Sequence, residues 1–246
     1  MSVPGRELVN GIRELPPMWR ESLIWAEYLS LLRHAVFRAA GVPDGRGHPV
    51  LLIPGFMAGD WTLNTCRDWL RRLGYRPEMA GINFNFHYSE AILRRLAARL
   101  LELHERSGQK LTLIGHSRGG LLAKVLSHRH PRAVEQVLAL GSPLRDPYDV
   151  HPLTLAGVAA ARAYNRVRFG RIDALERQFL LDLAAPAVVP VTSLYTRSDG
   201  VVSWKACIRP DVSCVEVRGS HAGLAVNPDV YRVLAVRLSA RPRAAA

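Results

Sequence analysis

The chain has 246 residues, 48% of them hydrophobic and 22% charged, which suits a globular protein able to bury one sizeable core. That composition excludes a disordered chain, a collagen and a coiled coil. Its 33 Lys+Arg against 21 Asp+Glu leave a net charge of +12, which raises the question of a nucleic-acid or acidic-membrane partner.

In the first twenty residues Arg6, Glu7, Arg13, Glu14, Pro16 and Pro17 interrupt any apolar core of a secretory signal. Residues 21–40 read as one amphipathic helix. Trp25, Tyr28, Leu29, Leu32, Ala35, Val36 and Ala39 recur at helical spacing, with Glu27, Ser30 and His34 on the other side. Its charges rule out a simple membrane-spanning helix. The apolar face has two readings, packing on the protein's own core or lying on a membrane surface. Cys66, Cys207 and Cys214 are too few for a disulfide framework and lack the spacing of a zinc site, so the expected location is cytoplasmic, with membrane association as the alternative.

From His48 the pattern changes to short apolar runs alternating with helical ones. Strands are predicted at 50–53, 75–82, 111–114, 137–140, 188–194 and 214–217. Helices are predicted at 61–73, 89–106, 119–130 and 229–238. That alternation implies an α/β fold with a mostly parallel sheet flanked by helices. Residues 144–186 are helical in pattern and contain no convincing strand, so they are expected to form a cap inserted over one edge of the sheet. The implied organisation is a helical extension over 1–47 and one α/β domain over 48–246.

The sharpest motif is Gly115-His116-Ser117-Arg118-Gly119-Gly120, where a predicted strand runs through G-x-S-x-G into a helix. A nucleophilic serine there sits in a strained turn, and glycines are needed where a side chain would collide with neighbouring backbone. Ser117 is therefore the candidate nucleophile. A serine hydroxyl needs a base, and the base an orienting acid. Asp199 follows the next-to-last predicted strand and His221 follows the last, in the chain order Ser, Asp, His. Asp146 and Asp149 are rival acids, although their Pro-rich surroundings already explain them as turn formers. His116, His87, His104, His128 and His130 read as structural or solvated. An oxyanion hole needs two donors. The Arg118 amide follows the nucleophile, and the Phe56 amide lies in the turn after the first predicted strand, where Gly55 lets backbone approach a substrate.

Together, Ile53-Pro54-Gly55-Phe56, the Ser117 motif, Gly141-Ser142-Pro143, Ser198-Asp199-Gly200-Val201-Val202 and Gly219-Ser220-His221 resemble the α/β-hydrolase superfamily, closest to its lipases and esterases. The resemblance runs from about residue 48 to the last helix. It implies a Ser117–His221–Asp199 triad, an acyl-enzyme route, no metal and no organic cofactor. It departs from the superfamily in two places. Residues 1–47 hold only a helix where the superfamily usually begins with an antiparallel hairpin, so about six strands are expected, with the helix over an edge or face of the sheet. Pro54-Gly55 stands where many relatives have His-Gly, which leaves no role for a histidine there.

The function expected from these residues is cleavage of a small-molecule carboxylic ester, with the Leu, Ala, Val and Phe of the cap favouring an apolar acyl group. An acyltransferase or thioesterase would use the same triad, and a non-catalytic binding module on this fold is the rival from another class. The sequence does not specify an oligomeric state or whether Cys207 and Cys214 pair. Only Lys110, Lys124 and Lys205 of the basic residues are lysines, and the arginines are spread over nearly every predicted helix. A nucleic-acid partner is therefore not expected. Arg162, Arg166, Arg168 and Arg171 within the cap remain candidates for attracting an anionic lipid or acidic substrate.

Overall fold

The computed structural model describes residues 15–170 and 172–240. Arg6, Glu7, Arg13, Glu14, Arg171 and the tail 241–246 lie outside the described residues.

Six strands form one sheet: β1 (Pro49–Ile53), β2 (Arg76–Met79), β3 (Leu111–His116), β4 (Val134–Leu140), β5 (Val191–Tyr195) and β6 (Ser213–Glu216). Their spatial order is β2-β1-β3-β4-β5-β6, and every neighbouring pair is parallel. The helices are α1 (Ile24–Arg33), α2 (Asn64–Arg72), α3 (Ser89–Ser107), α4 (Arg118–Arg129), α5 (Pro152–Phe169), α6 (Asp173–Ala184) and α7 (Pro228–Ser239).

Two hydrophobic clusters sandwich the sheet. Along β1, Leu51 and Ile53 join Leu96 and Leu100 of α3 and Leu122 and Leu126 of α4. Val50 and Leu52 join Trp69 and Leu70 of α2 and Tyr231 and Leu234 of α7 on the other side. Successive strand residues point to opposite faces, and both faces are covered, so the central strands are apolar throughout instead of alternating. The chain leaves β1 for β2 at one edge and returns to β3 on the other side of β1, where Ile53 pairs with Gly115. Loops leaving the carboxyl ends of β1 and β3 therefore emerge side by side. This is a topological switch point, the place where open parallel sheets bind ligands.

Three expectations need correction. Residues 21–40 do not form one helix. A 3-10 turn at Met18–Leu23 leads into α1, and at His34 the backbone extends (φ −79°, ψ 143°) while its Nδ1 accepts the Val36 amide at 3.1 Å, which starts a second 3-10 turn at Ala35–Arg38. The second predicted strand stops at Met79 because Asp60 Oδ2 takes the Gly81 and Ile82 amides at 2.8 and 3.1 Å, removing them from strand pairing. The fifth strand begins at Val191, after Pro190, which has no N–H to give.

The N-terminal segment docks on the α2 and α7 side. Leu31 of α1 is fully buried in that cluster, and Val36 O accepts the Trp69 indole N–H at 2.8 Å. Ile24, Glu27, Tyr28 and Leu31 make the inward stripe, whereas Trp25, Leu29 and Leu32 face outward and are exposed. The amphipathic pattern is thus divided differently from its sequence reading, with Glu27 inward and Trp25 outward. Among the described residues no helix is long and apolar enough to cross a membrane. The three cysteines are free thiols, Cys207 and Cys214 included.

Candidate active site

Ser117 sits between β3 and α4 at φ 52°, ψ −123°, a strained conformation for a residue with a side chain. Two glycines make the turn possible. A Cβ on Gly115 would run into the Gly119 and Gly120 backbone, and one on Gly119 into the carbonyl oxygen of Ile53. The elbow is tied to the sheet by the Ser117 amide, which donates to Leu140 O at 2.7 Å. β3 fixes one side of the turn, α4 the other, and β1 passes too close to admit a bulkier residue.

Asp199 follows β5 and His221 follows β6, and their side chains meet. His221 Nδ1 lies 2.7 Å from Asp199 Oδ2, with both residues buried. The other carboxylate oxygen, Oδ1, accepts the Val201 and Val202 amides at 2.9 and 2.7 Å, so Asp199 cannot turn away from the imidazole. Burial pushes the His221 pKa down, but the Asp199 carboxylate, joined by Glu21, more than offsets this and leaves it raised. The rival acids lie elsewhere. Asp146 caps its own turn by accepting the Tyr148 amide at 2.9 Å, and Asp149 gives its carbonyl to Ser203. Among the described residues the Ser117 hydroxyl makes no hydrogen bond to His221. Such bonds are often long without substrate and tighten in the reacting complex.

His116 is buried beside this pair, its ring centroid 5.0 Å from that of His221. Burial pushes its pKa down to about 4, so it is neutral, and its Nε2 lies 3.0 Å from the His221 carbonyl oxygen. It braces the backbone of the loop that carries His221.

The loop after β1 is held by Asn85, which is fully buried. Asn85 Nδ2 donates to Pro54 O at 2.8 Å, its carbonyl accepts the Met57 amide at 2.9 Å, and its own amide reaches Ala58 O at 2.8 Å. The Arg118 guanidinium ties the same residue to the elbow, donating to Asn85 Oδ1 at 2.9 Å and to His87 O at 2.6 Å. Burial pushes that guanidinium down to about 10. Among the described residues neither the Phe56 nor the Arg118 amide has a backbone acceptor, and both belong to segments fixed beside Ser117.

The PGAP1-like alpha/beta domain family matches residues 85–167. Among solved structures the chain is similar to the mature lipase BlEst2 of Bacillus licheniformis, at 17% identity and a TM-score of 0.58, over 80% of this chain and 94% of that one. It is also similar to a monoacylglycerol lipase of Paleococcus ferrophilus, at 16% identity and a TM-score of 0.55, over 80% and 95% of the two chains. A thioesterase domain from the curacin biosynthetic pathway gives 18% identity and a TM-score of 0.53, over 80% and 92%. No curated protein matches the chain. This is an α/β-hydrolase fold. Likeness at such identities speaks to fold, and function has to be argued from the site.

In this α/β-hydrolase fold, α5 and α6 stand between β4 and β5 and cover a pocket that reaches Ser117. Phe56, Leu121, Val158, Ala161, Phe179 and Leu180 give it an apolar wall. Of the arginines in this stretch, Arg162 lines the pocket. Arg166 pairs with Asp173 at 2.6 Å, and the Arg168 guanidinium lies 5.4 Å from the Phe169 ring centre.

Sequence reasoning missed several participants. His87, just before α3, lines the pocket against Phe86, and its buried Nδ1 has no partner among the described residues. Asn165, buried on α5, likewise lines the pocket, with its Oδ1 unpartnered while Nδ2 holds Phe86 O at 3.0 Å. A polar residue on the apolar side of a helical pattern was the available signal for Asn165. Asn85 and the Arg118 side chain gave none.

Proposed function

We propose that this protein is a serine hydrolase that cleaves carboxylic esters bearing an apolar acyl group. The observation that carries this reading is the strained Ser117 elbow opening into an apolar pocket, together with the buried Asp199–His221 pair after the last two strands, β5 and β6. His221 takes the proton of Ser117 as its oxygen attacks the ester carbonyl, and the amides of Phe56 and Arg118 receive the negative charge on the carbonyl oxygen. His221 then protonates the departing alcohol, leaving an acyl-enzyme. Water deprotonated by the same imidazole releases the acid and restores Ser117, while Asp199 holds the ring in one tautomer and stabilises its charged form. Helices α5 and α6 act as the cap, with the acyl chain held beneath them.

Ser117→Ala is expected to abolish turnover of p-nitrophenyl esters and reaction with a fluorophosphonate probe, with the far-ultraviolet circular dichroism unchanged. Wild-type turnover in that variant would rule the reading out. Across esters from acetate to palmitate, kcat/KM should rise beyond acetate, since the pocket is apolar.

The outward stripe of α1, with the 3-10 turn before it, supports contact with an anionic lipid surface. Trp19 in that turn and Trp25 in α1 are 68% and 72% exposed, and the chain carries +12. Trp19→Ser with Trp25→Ser should lower co-sedimentation with phosphatidylglycerol vesicles without changing hydrolysis of a short soluble ester. Equal binding by the wild type and the double variant would remove the membrane reading.

A further inference from the structure

We infer that Glu21 and Glu27, on the segment before the sheet, are positioning residues that lock the loops carrying Asp199 and His221 together, which makes the N-terminal segment a working part of the active site. This rests on the Ser117–His221–Asp199 reading above. Glu21 Oε1 accepts the Gly200 amide at 3.0 Å and the His221 amide at 3.2 Å, and its Oε2 accepts the Ala222 amide at 2.7 Å. One carboxylate thus bridges the residue after Asp199 to His221 itself, 200 positions away in sequence. Glu27 Oε1 takes the Ser220 amide at 2.8 Å, and Oε2 takes Asn227 Nδ2 at 2.9 Å, whose amide group also holds Arg218 O at 2.8 Å.

The amides of 220, 221 and 222 are consecutive, and successive backbone N–H groups in a turn form a concave anion site. Here both anions come from the N-terminal segment. Bonds from N–H groups to ionised acceptors are about twice as strong as neutral ones. The loop is also shaped to receive the carboxylates, because a Cβ on Gly223 would run into Glu27 Oε2 and one on Gly200 would stand 3.2 Å from Glu21 Oε1. The charged or titratable groups facing His221 are Asp199 from the β5 loop, His116 from the end of β3 and Glu21 from the N-terminal segment, with Glu27 one residue away along the loop. Neither glutamate reaches the Ser117 pocket lining, so they act through His221 and Asp199 and not on substrate.

The test uses the full chain with Glu21→Gln, Glu27→Gln and both together. Each amide keeps the side-chain shape but places an N–H donor against N–H donors. Measured quantities are kcat and KM on p-nitrophenyl butyrate, the rate of fluorophosphonate labelling, the pH profile and the melting temperature. In the double variant kcat and the labelling rate are expected to fall about 10- to 100-fold, the range that misplacement of a catalytic group produces. KM should stay unchanged, because the pocket is built by other elements. In Glu21→Gln the acid limb of kcat/KM should also move to lower pH. Wild-type kcat and labelling in a folded double variant would overturn the inference, as would a loss of activity that tracks only the melting temperature with KM rising in step. If the double variant does not fold, Glu21→Gln alone carries the same readouts, since both Glu27 bonds remain. A wild-type chain that fails to react with the probe would take down the triad reading and this inference together, whereas a reactive wild type with equally reactive variants would take down this inference alone.

Discussion

The two halves of the candidate site are held in different ways. Ser117 is fixed by its immediate neighbours. β3 enters the turn, α4 leaves it, and Gly115 and Gly119 keep clear of backbone that any side chain would strike. Asp199 is also braced locally, by the Val201 and Val202 amides, but the loops that carry Asp199 and His221 are joined to each other by groups far away in the chain, Glu21, Glu27 and the ring of His116. A nucleophile can therefore be specified within a few residues, because its strain is a property of one turn. A general base that must meet both a serine and an aspartate from other strands depends on contacts made by the whole fold.

The largest expected effect breaks the local half. Gly119→Ala puts a methyl group into the Ile53 carbonyl, which is backbone and cannot step aside. Fluorophosphonate labelling should vanish and the melting temperature should fall. Labelling at the wild-type rate would show that the elbow is not held by close approach.

Next comes the remote half. Asp199→Asn keeps the shape but removes the charge that orients His221, and kcat should drop by about 10⁴-fold. A drop equal to that of Asp146→Asn would mean the wrong acid has been assigned. Between these and the smaller effects lie the Glu21 and Glu27 variants.

A third measurement sharpens the comparison through pH. In the proposed role His221 is a base only when neutral, so the rate should rise as pH climbs through its pKa. Burial alone would lower that value, but Asp199 and Glu21 leave it raised. The acid limb of kcat/KM should therefore lie above that of an unperturbed histidine, about 6.5. A limb below that value would mean that burial prevails over the two carboxylates. The smallest effect is the control. Arg232 pairs with Asp229 at 2.6 Å on the exposed side of α7, and Arg232→Ala should cost less than about 0.5 kcal/mol and leave turnover unchanged. A carboxylate contact matters here for what it positions, and a loss of turnover in this variant would contradict that.

Much of the fold and part of the site could be read from the sequence. The alternation of strand and helix from residue 48 predicted a parallel sheet, and the order β2-β1-β3-β4-β5-β6 delivers one. The candidate residues Ser117, Asp199 and His221 were legible because strand ends, glycines and turn residues surround each of them. The N-terminal segment was misread. Periodicity gives an amphipathic helix and treats polar as solvent-facing, which sets Glu27 outward, whereas its carboxylate accepts the Ser220 amide beside His221. Asp60, Asn85 and the Arg118 side chain are invisible in the sequence for the same reason, since each serves backbone groups distant in sequence.

Local chemistry, then, determined what one strand and one turn can do alone: an apolar strand buried on both faces, and a serine in a strained turn that its two glycines make possible. Tertiary structure decided which carboxylate meets His221, where the two N-terminal glutamates bind, and which face of α1 stays exposed. Those choices depend on unpaired amides and apolar faces meeting across hundreds of residues, and a buried donor must find its acceptor wherever the fold brings one.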